Sequence, residues 1–146
     1  MALSNLENLY KTIIMEHYKN PRGKGLVDGY TTVHLKNPTC GDDIKIGIRL
    51  EGSTLKDIRH EGVGCSICCS SASVMCQTLK GKGVTEAKEI MQNFYEIVKG
   101  EGHDKRLDMG DCVAYVGVSK FPARIKCATI PWKALEQAID EEEGND

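Results

Sequence analysis

The chain has 146 residues, a net charge of −2 and an ordinary 40% share of apolar residues, enough for one domain that buries its own core. A nearly neutral balance without a basic face argues against nucleic acid as a partner. The first segment, MALSNLENLYKTIIMEHYKN, carries charges throughout, so neither a leader nor a membrane span is expected, and the cytoplasm is the expected compartment. Seven cysteines stand out. An odd number of thiols in a reducing compartment points to metal or thiol chemistry rather than to a disulfide framework.

In chain order, Leu6, Leu9, Tyr10, Ile13, Ile14 and His17 recur on one helical face, with Ser4 and Glu7 in capping-box register. A helix is expected over about 4–19, stopped by NPRGKG, where Pro21 bars helical geometry at Asn20. YTTVHLKN reads as a first strand. Ile44, Ile46, Ile48 and Leu50 then alternate with Lys45, Gly47 and Arg49, as in a half-buried antiparallel strand. After the turn EGS, TLKDIRHEGV completes a meander over about 30–63.

The remainder reads as helical. CSICCSSASVMCQTLKG spaces Cys65, Cys69, Ala72, Cys76 and Leu79 at helical intervals. TEAKEIMQNFYEIVKG follows with Thr85 as the expected N-cap and Gly100 as the stop, and DMGDCVAYVGVSKFP suggests a short helix. In ARIKCATIPWKALEQAID, Pro131 removes the bond to the Cys127 carbonyl, so the last helix is expected to kink just after Cys127 or to begin near Pro131. Strands before helices give an α+β fold: a small antiparallel three-stranded sheet with helices packed on one face. The expected organisation is one domain over 1–140 and a like-charged, disordered tail over 141–146.

Cys40, Asp42, Cys65 and Cys127 each fall at an element end, where parts of such a domain can meet. Three thiolates and a carboxylate make a complete tetrahedral zinc set, with sulfur at about 2.3 Å and oxygen at about 2.0–2.2 Å. Cys40 lies between Pro-Thr and Gly-Asp, in a turn rather than a core stripe, whereas Cys127 alone would read as a small buried hydrophobe. Cys65-Ser66-Ile67-Cys68, with Cys69 one turn on, offers a rival metal or redox site, but no second CxxC or histidine pair completes it. Cys68, Cys69, Cys76 and Cys112 are therefore read as structural. His17 reads as packing; His34, His60 and His103 have no evident partner and read as solvated or structural.

NPTCGD, GVGCSI with its Ser- and Ala-rich helix, and FPARIKCAT with the WKAL helix together resemble the IscU/NifU-type iron–sulfur cluster assembly family over about 4–140. Within it the chain is most similar to the SufU branch, zinc-dependent sulfurtransferases that take persulfide sulfur from a SufS-type cysteine desulfurase. The long interval between Cys65 and Cys127, including GDCVAYVGVSKFPARIK, and Lys126 where scaffold-type members carry histidine, support that branch. The resemblance implies a zinc site of Cys40, Asp42, Cys65 and Cys127, with Cys40 as sulfur acceptor, a desulfurase and a downstream iron–sulfur assembly complex as partners, and no nucleic acid or membrane. Cys68 and Cys69 depart from the family's ligand set. Lys36, Arg124 and Lys126 are candidates to offset the site's negative charge or to contact the partner. Two other readings use the same residues: a scaffold for a [2Fe–2S] cluster, and a structural zinc staple, which a chain of this length does not need.

Overall fold

The structure is a computed structural model that describes residues 2–102, 104 and 106–144, and the side chains from residue 5 onward. Its elements are α1 (Ala2–Lys19), β1 (Thr31–Asn37), β2 (Asp42–Glu51), β3 (Thr54–Val63), α2 (Ser66–Leu79), α3 (Val84–Val98), a 3-10 helix (Gly110–Lys120) and α4 (Pro122–Gly144). The strands form an antiparallel meander in the order β1-β2-β3. Ile44, Ile46 and Ile48 are buried together with Val33, Leu55 and Ile58. That apolar face lies beneath α4, which covers β1 and β2, and α2, which covers β3. The segment before β1 runs along the outer edge of β3: the Gly25 amide donates to the His60 carbonyl and the His60 amide to the Gly23 carbonyl, both at 2.8 Å. A strand edge that would otherwise expose unpaired backbone groups is thereby covered.

α1, α4 and the 3-10 helix pack on α2, and α3 packs on the 3-10 helix and α4. Trp132 of α4, fully buried, stacks on Phe94 of α3 with centroids 4.1 Å apart, and Phe94 meets Tyr115 of the 3-10 helix edge-on at 5.6 Å. The polar groups of this core are paired. Trp132 Nε1 donates to Ser71 Oγ at 2.9 Å, Ser71 Oγ donates to the Ala128 carbonyl at 2.6 Å, and Ser70 Oγ bonds the Tyr115 hydroxyl at 2.6 Å. His17 of α1 bridges Ser73 of α2 at 2.7 Å and Asp111 of the 3-10 helix at 2.8 Å. It packs as expected, with both ring nitrogens occupied.

Four expectations change. α1 starts at Ala2, so Ser4 is inside the helix rather than at its cap; its side chain lies outside the described residues. The N-cap of α3 is Gly83 instead of Thr85, because the Val84 amide is held by the Ser53 carbonyl at 2.7 Å and fixes the helix start two residues earlier. Of the two alternatives for α4, a start near Pro131 falls: the helix starts at Pro122 and runs through Pro131. Its end also extends past 140. Residues 141–144, expected as disordered tail, are helical, with Glu142 bonded to the Thr31 hydroxyl and Glu143 3.4 Å from Lys88. His103, Asn145 and Asp146 lie outside the described residues.

Candidate metal centre

The β1–β2 hairpin closes on a register pair, Asn37 opposite Asp42, with residues 38–41 as the turn. Cys40 sits in that turn, half-buried, its amide donating to the Asn37 carbonyl at 3.2 Å. Gly41 follows with φ +74°, a left-handed conformation that glycine adopts without penalty. This reversal turns the chain so that Asp42, the first residue of β2, points its side chain inward, where it is 2% exposed.

The other two candidates come from helix starts. Cys65 is the N-cap of α2, and Cys127 lies in the second turn of α4, fully buried. The Cys65 amide donates to Asp42 Oδ1 at 3.0 Å, so the carboxylate satisfies a donor that a helix start leaves free. Gly64 makes this approach possible: a Cβ there would lie 2.6 Å from Asp42 Oδ1.

Cys40, Asp42 and Cys127 each present one donor atom, all within 4.8 Å of one another. The edge of a tetrahedral thiolate site is about 3.8 Å, so a small closure of the hairpin turn would bring the set onto one ion. The Cys65 thiol does not join this group of three. It is nevertheless a close neighbour: burial, then Asp42, Cys40 and Cys65, push the Cys127 thiol well above its ordinary range. A thiol held neutral by burial and by acidic neighbours is one whose ionisation a cation would favour. The chemistry of the donor set thus fits a thiophilic metal ion such as zinc.

Of the basic candidates, Arg124 comes closest. Cys127, then Cys65, hold its pKa above the ordinary arginine value. Lys36 projects into solvent 3.9 Å from Asp43, and Lys126 is exposed. The remaining thiols occupy different surroundings. Cys68, Cys76 and Cys112 are buried, and burial pushes Cys76 and Cys112 up to about 12. Cys69 is half-buried, 3.7 Å from the Gly64 carbonyl. His34 pairs with Asp43 on the surface, and His60 is buried with Nε2 2.8 Å from the Arg22 carbonyl.

Sequence reasoning passed over Asn37, which is 7% exposed and donates from Nδ2 to Asp42 Oδ2 at 3.2 Å and to Cys127 Sγ at 3.8 Å. Its signal was in the alternation. Val33, Leu35 and Asn37 share one phase of β1, so a carboxamide occupies a position whose phase faces the core.

Comparison with known proteins agrees with this architecture. The model of the NifU-like N terminal domain matches residues 9–128. The zinc-dependent sulfurtransferase SufU of Bacillus subtilis is 48% identical over 97% of this chain and 96% of its own length. The iron–sulfur cluster assembly scaffold protein IscU of Streptococcus pyogenes is 40% identical over 95% of this chain and 87% of its own. The N-terminal part of a NifU-like protein from Brucella abortus superposes with a TM-score of 0.83, covering 92% of this chain and 94% of that one at 18% identity, a likeness of fold. A three-stranded meander with a Cys-Asp-Cys cluster at its hairpin end, matched over this span, places the chain in the NifU-like N-terminal domain family of iron–sulfur cluster assembly proteins.

Proposed function

We propose that the chain is a zinc-dependent sulfurtransferase: Cys40 accepts the terminal sulfur of a persulfide carried by a SufS-type cysteine desulfurase and passes it on for iron–sulfur cluster assembly. The observation that carries this reading is the placement of Cys40, which shares a donor cluster with Asp42 and Cys127 yet sits half-buried on a hairpin turn. The close SufU relative supports the choice of zinc and of sulfur transfer. In this reading Cys40, Asp42, Cys65 and Cys127 hold the ion.

When bound, zinc supplies a positive charge that keeps thiols ionised at neutral pH, where a free cysteine of pKa about 8.5 is only a few per cent thiolate. The chain's own residues do the rest. Asp42 ties the hairpin to the start of α2 through the Cys65 amide, and Cys127 is fixed in the first part of α4. Cys40 is held by a turn and by a 3.7 Å contact to the Ala123 carbonyl, so it is the donor freest to move outward. Its thiolate attacks the outer sulfur of the partner's persulfide. A new S–S bond forms on Cys40, the donor's S–S bond breaks, and the electron pair leaves on the desulfurase cysteine as a thiolate. Arg124, exposed beside Cys65 and Cys127, supplies a positive charge to the approaching anionic persulfide.

The seven free thiols suit a reducing compartment, so we assign the protein to the cytoplasm; no helix among the described residues is long and apolar enough to cross a membrane. The Cys40→Ala variant tests the reading. It should remain folded and abolish stimulation of a SufS-type desulfurase, and metal analysis of the wild-type chain should find one zinc with little iron. Full stimulation by Cys40→Ala refutes the acceptor role. Iron with a brown chromophore would favour instead a [2Fe–2S] scaffold; the Streptococcus relative is an iron–sulfur cluster assembly scaffold protein.

A further inference from the structure

One residue is bonded to three of the four candidate ligand residues, through its side chain to two and its backbone to the third, and is none of them. Asn37 donates from Nδ2 to Asp42 Oδ2 at 3.2 Å and to Cys127 Sγ at 3.8 Å, and its carbonyl accepts the Cys40 amide at 3.2 Å. It is 7% exposed and stands at the hairpin's closing pair, directly opposite Asp42. A carboxamide suits this position physically. Its NH2 group gives hydrogen bonds to a carboxylate and a sulfur and, unlike lysine or arginine, brings no charge of its own to compete with a cation. Asn37 is also followed by Pro38, so its backbone is held extended and its side-chain direction is fixed by the strand.

The contacts are unequal. The side-chain amide reaches Asp42 and Cys127, whereas the Cys40 sulfur takes no bond from it and lies 3.7 Å from the Ala123 carbonyl. We infer that Asn37 is a positioning residue that decides which donor leaves: by clamping Asp42 and Cys127 it keeps the metal bound by the rest of the site while Cys40 is released to react. This inference rests on the zinc reading and adds an order of release to it. Outer hydrogen bonds of this kind commonly carry one to two orders of magnitude of metal affinity.

The test uses the full-length, zinc-loaded chain and no desulfurase. Zinc transfer to an excess of a chromophoric chelator is timed, and thiol alkylation by iodoacetamide is mapped by peptide mass spectrometry. In wild type, Cys40 should be alkylated first, with zinc retained. In Asn37→Leu, of similar size but without the donor, zinc release should quicken by about tenfold or more, and Cys127 labelling should rise towards that of Cys40. Asn37→Ser, with a shorter donor, should fall between them. A purely structural role would not reorder the labelling. An unchanged release rate and labelling order in Asn37→Leu overturns the inference while leaving the zinc reading intact; a wild-type chain that holds no zinc overturns both. Should neither variant fold, wild type decides by nitrogen-15 NMR: the Asn37 side-chain amide must shift and exchange more slowly with solvent on metal loading, and an amide indifferent to metal overturns the inference.

Discussion

The hairpin end of the sheet and the helical core behind it are built from the same residue types put to opposite uses. In the core, Cys68, Cys76 and Cys112 are buried among apolar side chains, and desolvation holds their thiols neutral. At the hairpin end, Cys40 and Cys127 meet a carboxylate, and Cys127 also meets a carboxamide and a guanidinium. Polar groups follow the same division. The serines of α2 spend their hydroxyls on Trp132, Tyr115 and His17, tying helix to helix. Asp42 spends its oxygens on the Cys65 amide and Asn37, tying together parts of one site. What a cysteine does in this fold is set by the neighbours its element end supplies, and a count of thiols would not separate the two groups.

Breaking the core should cost the most stability. Trp132→Ala removes a fully buried indole, its stack on Phe94 and its bond to Ser71, and should lower the unfolding free energy by about 3–5 kcal/mol in urea titration. A loss below about 1 kcal/mol would mean that the stack is not part of the stable core. Breaking the hairpin end should cost less stability and more metal. Asp42→Ala leaves the Cys65 amide and the Asn37 carboxamide without their acceptor, for about 1–3 kcal/mol in the metal-free chain. Zinc affinity, measured by chelator competition, should fall by at least about tenfold. Unchanged affinity would remove Asp42 from the site.

A smaller effect separates the regions by pH. Burial, with help from Lys24 and Arg59, holds the His60 imidazole below the ordinary histidine value, against the opposing bond to the Arg22 carbonyl. The unfolded chain therefore takes up its proton at higher pH than the folded one does. The stability from this group is complete above about pH 6.5 and is lost as the pH falls from there through the folded-state pKa. Urea midpoints should decline over that window, and His60→Gln should flatten the decline; an equally steep decline in the variant would assign it to other groups. Smallest of all, Lys36→Ala removes a 3.9 Å surface pair with Asp43 and should change stability by no more than about 0.5 kcal/mol by the same titration.

The sheet was legible because one of its faces is buried: alternation from Ile44 to Ile48 leaves no second register over that span, and β3 follows from the turn before it. The start of α3 was not, because it is fixed by Ser53, a residue on the β2–β3 turn that no local pattern connects to Gly83. The helical continuation over 141–144 was hidden for the same reason: a run of acidic residues reads as repelling until Thr31 and Lys88 supply partners from distant elements. Cys40 and Asp42 announced themselves through their turn. Asn37 did not, although the alternation that buries Val33 runs on to it, because a polar residue beside a proline is ordinarily read as the strand's end.

The most direct test is a single anaerobic turnover with a SufS-type desulfurase and cysteine, followed by rapid alkylation and peptide mass mapping of all seven cysteines. The account predicts one added sulfur atom, on Cys40, with Cys65 and Cys127 unmodified. An added sulfur on Cys65, Cys69 or Cys127 with Cys40 bare, or no added sulfur on a zinc-loaded chain, contradicts it.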